Sequence, residues 1–143
     1  MTAHTELLLF RLGDRGYACD RSAVQEMVDV GTGQPPVPGL RSSGLGALEG
    51  PQRPVALLSL RAVLGMPDRG PEGRILVVGT RLGPVGFLVD EVVQVTTAGP
   101  EDEGGLPSRF TARYVTGTVR ALDASWLVID WDAIRLPAGL RAR

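Results

Sequence analysis

Few residues in this chain have the type and spacing to do chemistry. Asp130-x-Asp132 could place two carboxylates on one strand face, the arrangement that an acid–base pair or a magnesium site requires. No third ligand or second acid recurs close by, so the plainer reading is that the pair marks where a strand leaves the core. Asp130 and Asp132 remain the only foothold for a small hydrolase. Cys19 is the single cysteine. A reactive thiolate needs a cationic neighbour, and only Arg15 and Arg21 are close in sequence, so Cys19 is expected to be a small core residue. His4 is the only histidine and lies near the N-terminus. Serine-type triads, H-E-x-x-H zinc sites and Cys-His dyads therefore lack an imidazole. All 15 basic residues are arginine, which excludes a Walker-type phosphate loop and Schiff-base chemistry. Asparagine is absent as well, and the two absences together are read as codon bias. Gly44-Leu45-Gly46-Ala47-Leu48-Glu49-Gly50 looks like a dinucleotide loop, but its third glycine is one place late and no strand precedes it. Neither a cofactor nor a metal is expected. Glu101-Asp102-Glu103 reads as a solvated acidic run.

The elements that must position any site are short. The 143 residues suit one domain, and 19 glycines with 11 prolines, about a fifth of the chain, predict many turns and short strands. A hydrophobic content of 43% is too high for disorder, and the apolar runs are too short to span a bilayer. No signal peptide is visible, so the cytoplasm is the expected location. A net charge of −1 argues against nucleic-acid and anionic-membrane partners.

Leu7 to Leu12 and Tyr17 to Cys19 read as a hairpin turning at Asp14-Arg15-Gly16. Asp20 can cap a helix, and Ala23, Val24, Met27 and Val28 follow helical spacing, which predicts a short helix or helical turn over 20–28. From Gly31 to about Pro54 the pattern is that of a long loop with at most one extended piece. Val55 to Leu60 is a strand entering a helical turn over 61–64, ended by Gly65 and Pro67. The clearest signal is a second hairpin, Arg74 to Thr80 and Val85 to Asp90, with Val85, Phe87 and Val89 alternating onto one face. Val92, Val93 and Val95 continue as a strand, and residues 99–107 form the acidic loop. A final strand pair covers 114–122 and 126–131, turning at Asp123-Ala124-Ser125. Trp126 and Trp131, five apart on one strand, should then face opposite ways, one into the core and the other toward a contact surface. About eight strands without βαβ alternation predict an all-β barrel or sandwich.

The order of these pieces resembles a CheW-like domain, the adaptor of bacterial chemotaxis signal transduction. The resemblance runs from about Glu6 to Leu136, leaving residues 1–5 and 137–143 as tails. It is carried by Leu8-Leu9-Phe10-Arg11-Leu12-Gly13 with Tyr17-Ala18-Cys19-Asp20, by Val24-Gln25-Glu26-Met27 against V-x-E-I, and by the proline-glycine loop ending in Gly44 to Gly50. Leu60-Arg61 and Leu64-Gly65 follow, then Val85-Gly86-Phe87-Leu88-Val89-Asp90-Glu91-Val92 against V-G-x-x-V-D-x-V, Tyr114-Val115-Thr116-Gly117 against Y-x-x-G, and Leu127-Val128-Ile129-Asp130.

The resemblance implies an all-β fold of two packed, five-stranded, SH3-like barrels with one or two short helices and no catalysis. It implies two partners in a two-component pathway: the signalling domain of a chemoreceptor (methyl-accepting protein), and the regulatory domain of a CheA-type histidine kinase. Carried over residue by residue, the contact region is Val24, Gln25, Glu26, Gly44, Gly46 and Glu49. Glu26 is the stronger contact candidate, since Val24 and Met27 are equally well read as core. One departure stands out. Where the family has Arg-Gly, one register puts Glu49 at the arginine, and the other puts Pro51 there. The arginine is missing in both, and reversing a contact charge weakens or redirects binding. A protein that binds receptors but not the kinase, a spacer or regulator of the array, is therefore the second expectation.

Overall fold

The computed structural model describes residues 4–30, 45–48, 55–67, 73–106 and 113–134. Along the chain run β1 (Thr5–Leu12), β2 (Arg15–Asp20), β3 (Val24–Val30), β4 (Leu45–Leu48), β5 (Val55–Ser59) and the helical turn α1 (Leu60–Val63). Then come β6 (Gly73–Thr80), β7 (Gly83–Val89), β8 (Glu91–Ala98), β9 (Glu103–Gly104), β10 (Val115–Ala121) and β11 (Ala124–Ile129). Single 3-10 turns occupy Arg21–Ala23, Pro100–Asp102 and Trp131–Ala133. The fold is all-β, as the turn-rich composition predicts.

These elements build two compact units, one from Met1–Ala23 and Glu91–Ile134, the other from Val24–Asp90. The first holds one sheet in the order β8-β1-β2-β11-β10-β9, and the second holds β3-β6-β7-β5-β4. Both sheets share a plan. A tight hairpin, β1–β2 or β6–β7, is flanked on one side by an antiparallel strand, and its second strand pairs in parallel with β11 or β5. The flanking strands are exchanged in the sequence. β3 follows β2 but pairs with β6, and β8 follows β7 but pairs with β1. The first sheet has six strands rather than the expected five, because Glu103–Gly104 adds a two-residue pairing beside β10.

In the first unit, Leu7, Leu9, Ala18, Ala98, Val119 and Trp126 form a core. Leu8, Phe10 and Leu12 are buried too. Because both faces of β1 are covered, its sequence is a continuous apolar run instead of an alternation. The Phe10 ring stacks with Tyr17 at 5.6 Å and with Trp131 at 5.8 Å between centroids. Trp126 is held by its indole N–H, which donates to the Ala121 carbonyl at 2.8 Å, and Arg11 lies 5.2 Å above its ring. In the second unit, Leu57, Ile75, Val77 and Leu88 form the corresponding core. Val85 to Val89 are all buried, so β7 is covered on both faces rather than on the one face that the alternation of Val85, Phe87 and Val89 predicts.

Three local expectations are corrected. Residues 20–28 are not a helix. Asp20 caps only the turn Arg21–Ala23, accepting the Ser22 N–H at 2.9 Å and its hydroxyl at 2.7 Å, and β3 begins at Val24. The helical spacing of Val24, Met27 and Val28 comes from a β-bulge: Val24 faces Val78 and Glu26 faces Val77, leaving Gln25 as an extra residue. One inserted residue breaks the period of two and imitates a period near 3.6. Second, Trp131 lies past the end of β11 in a 3-10 turn, and both tryptophans are buried, so neither belongs to a contact surface. Third, the acidic stretch is partly structured. Asp102 accepts the Gly99 N–H at 3.0 Å, closing the turn Pro100–Asp102 before β9.

The other turns follow from their residues. Leu122 (φ 52°) and Asp123 (φ 59°) join β10 and β11 as a two-residue loop of the primed kind, one residue earlier than expected. β4 is the single described strand inside the long loop. The remainder of 31–54 lies outside the described residues.

Candidate functional site

Three of the six predicted contact residues, Val24, Gln25 and Glu26, open β3, the outermost strand of the second sheet. The bulge decides how they are presented. Val24 is 6% exposed and belongs to the core, whereas Gln25, Glu26 and Met27 are exposed in succession, Met27 to 39%. Past the bulge, Glu26 and Met27 pair in regular register with Val77 and Leu76, so their side chains leave opposite faces of this edge strand. The Gln25 amide lies over Gly79 of β6, where a Cβ would stand 2.9 Å from Nε2. Gly79 is thus what lets the Gln25 side chain lie against the sheet while Glu26 and Met27 face outward.

Gly46 is placed elsewhere. It lies in β4, opposite Leu57 of β5, at the other edge of the sheet, with β6, β7 and β5 between it and β3. Strand pairing does not bring the two halves of the predicted site together. Gly44 and Glu49 lie outside the described residues.

Met27 was missed as a surface residue because its spacing from Val24 and Val28 suggested a buried helix face. Sequence reasoning also gave no role to Arg61 and Asp90, although both stand in the quoted motifs. Arg61 in α1 donates from Nε to Asp90 Oδ1 at 2.9 Å, from Nη2 to Oδ2, and from Nη1 to the Pro67 carbonyl at 3.1 Å. The side chains are 14% and 9% exposed, so this is a nearly buried, bidentate pair. It ties α1, which Ser59 caps by accepting the Ala62 N–H at 3.3 Å, to the residue that follows β7. A separation of 29 positions in the chain hides it from local sequence reading.

The residues that suggested chemistry have structural tasks. Asp130 Oδ1 accepts the Asp132 N–H at 3.0 Å, capping the turn Trp131–Ala133, and the Asp130 N–H donates to the Tyr114 carbonyl at 2.8 Å. Cys19 is fully buried. Burial pushes its thiol up to about 12, opposed only in part by a hydrogen bond with Trp131. It therefore carries its proton at neutral pH and is no nucleophile there. Among the described residues no group of three or more His, Cys, Asp or Glu could hold a metal ion. Among them, too, no helix is long and apolar enough to cross a membrane.

Two β-sheets of SH3-like plan that exchange their flanking strands, with Gln25 and Glu26 exposed and Val24 buried at a bulged edge, define a domain of the CheW-like class. The chain matches the CheW-like domain over residues 6–136 and belongs to that family of scaffolding and adaptor domains. Among solved structures it is similar to the crystal structure of the scaffolding protein TtCheW from Thermoanaerobacter tengcongensis. The two share 22% identity, with 97% of each chain covered and a TM-score of 0.76, a likeness of fold. A comparison with curated proteins gives no match.

Proposed function

We propose that this protein is a non-catalytic, cytoplasmic adaptor that couples the signalling domain of chemoreceptors to the regulatory domain of a CheA-type histidine kinase, through residues 6–136. The observation that carries this reading is the bulge of β3. It exposes Gln25, Glu26 and Met27 together on an edge strand, at the place where the chain matches the family's V-x-E-I motif. An amide, a carboxylate and a thioether exposed along one edge strand suit recognition of a protein surface with both polar and apolar parts. No reacting group is needed for such a task.

The sequence favours one alternative. Glu49 or Pro51 stands where the family has an arginine, which supports a receptor-binding spacer that has lost the kinase contact. Pull-downs with a cognate receptor signalling domain and with the kinase regulatory domain separate the two. Binding to both with kinase activation is the adaptor's result, binding to receptor alone is the spacer's, and binding to neither overturns both. In a titration with the receptor domain, Glu26→Ala is expected to weaken binding by about tenfold, roughly 1.4 kcal/mol, while moving stability by less than about 0.5 kcal/mol. Unchanged affinity would place the contact away from the bulge.

A further inference from the structure

Glycine weakens a strand, so a glycine whose backbone conformation any residue could adopt is explained by whatever lies where its Cβ would be. Gly16 in β2 leaves room for the Trp126 ring, and Gly86 in β7 leaves room for methyl groups of Ile75 and Leu57, so both serve core packing. Gly79 in β6 is different. It is half-buried, and its φ lies outside the left-handed region. Among the described residues a Cβ there would meet the Gln25 side chain alone, Nε2 at 2.9 Å and Cδ at 3.9 Å. The space is thus filled by an exposed polar side chain of the contact strand and not by core. The Gln25 side-chain amide forms no hydrogen bond among the described residues, so room over Gly79, rather than a bond, sets where it lies.

Strand register shows what this seat does to the site. Glu26 stands opposite Val77, and Gly79 comes next but one after Val77 in β6, so Glu26 and Gly79 belong to one face of the sheet. Gln25, lying over Gly79, therefore shares that face with Glu26, whereas a regular strand sends neighbours to opposite faces. The bulge is what permits this. We propose that Gly79 is a positioning residue of the candidate contact: it gives the Gln25 amide a seat on β6, which keeps amide and Glu26 carboxylate together as one polar patch on one face. Such a patch suits a partner surface that offers a cationic side chain to the carboxylate and a hydrogen-bonding group to the amide. The role rests on the reading of the β3 bulge as the receptor contact. A side chain at 79 would take the seat, and because the displaced atoms are the far end of a flexible chain, Gln25 would swing away at little cost to the fold.

Gly79→Ala in the full chain tests the seat. Its urea midpoint is expected to equal or exceed that of wild type, while affinity for the receptor signalling domain falls by about two- to tenfold. Gln25→Ala is expected to lose a similar factor. In the Gln25→Ala background Gly79→Ala is then expected to cost nothing further, since no amide is left to displace. In the unbound chain, a through-space NMR contact between the Gln25 amide protons and the Gly79 α-protons is expected, and Gly79→Ala should abolish the contact between these positions. Absence of that contact in wild type overturns the proposal, and so does a loss of affinity that is the same with and without Gln25, as a merely structural effect would give. Glu26→Ala separates this outcome from the adaptor reading. If Glu26→Ala weakens binding and Gly79→Ala does not, the contact stands and the positioning role falls; if neither changes affinity, the contact lies away from the bulge and both fall.

Discussion

The first unit fills the inside of its sheet with rings and the second fills a similar plan with branched aliphatic chains. Phe10, Tyr17, Trp126 and Trp131 are buried in the first, whereas Phe87 is the one aromatic residue between Val24 and Asp90. Rings need room and anchors. Gly16 supplies room, since a Cβ there would come within 2.5 Å of the Trp126 ring, and the Ala121 carbonyl supplies an anchor. The second unit needs neither. Its distinctive element is the Arg61–Asp90 pair, a polar tie that holds a short helical turn with too little apolar surface to hold itself. One topology is thus stabilised by ring packing in one place and by a nearly buried ion pair in the other.

The largest effect expected from breaking this contrast is at Trp126. Trp126→Ala removes the biggest buried side chain of the first unit and should cost about 3–5 kcal/mol, read as a fall in the urea midpoint. A loss below about 1 kcal/mol would show that the ring core matters less than its burial suggests.

Alkaline pH probes the same contrast without mutation. Cys19 and Tyr17 both lie in the sequence of the first unit. Burial raises the Cys19 pKa to about 12 and also raises that of Tyr17. The folded state therefore holds the Cys19 proton more tightly than the unfolded chain, whose thiol titrates near 9. Stability is complete below about pH 9 and is lost as pH rises toward 12, by up to about 4 kcal/mol for Cys19. Urea titrations at several pH values check this, and Cys19→Ala should flatten the decline. An equally steep decline in that variant would move the cause away from the thiol.

A smaller effect is expected at the ion pair. Asp90→Asn leaves the Arg61 guanidinium nearly buried without its carboxylate and should cost about 3 kcal/mol. The double variant Arg61→Met with Asp90→Leu should recover most of that loss, because two apolar chains carry no desolvation penalty. A double variant as unstable as the single would assign the pair a role in backbone placement at the end of β7, beyond its electrostatics.

The hairpins were legible because each needs only neighbours in sequence. Leu7 to Phe10, Ile75 to Val78 and Leu127 to Ile129 announce strands by β-branched and apolar runs, and Gly13, Gly83 and Asp123 mark the turns with positive φ. The opening of β3 was misread because the bulge at Gln25 disguises a strand as a helix. Family resemblance named Val24, Gln25 and Glu26 in the same group as Gly46, but could not show that β3 and β4 are opposite edges of one sheet. Met27 became visible as a surface residue only once its strand was known to be bulged.

By itself the sequence determined that this is a turn-rich, all-β chain of the CheW-like family, short of the residues that enzymes use. Those properties are local, set by backbone preference, side-chain pattern and the presence or absence of particular functional groups. The tertiary structure decided which strands meet. It set the parallel pairings of β2 with β11 and β7 with β5, the exchange of β3 and β8 between sheets, and the closure of Arg61 on Asp90. These are contacts between distant segments, formed because apolar surface and buried charge find partners wherever the chain can fold back. No window of neighbouring residues contains both sides of such a contact.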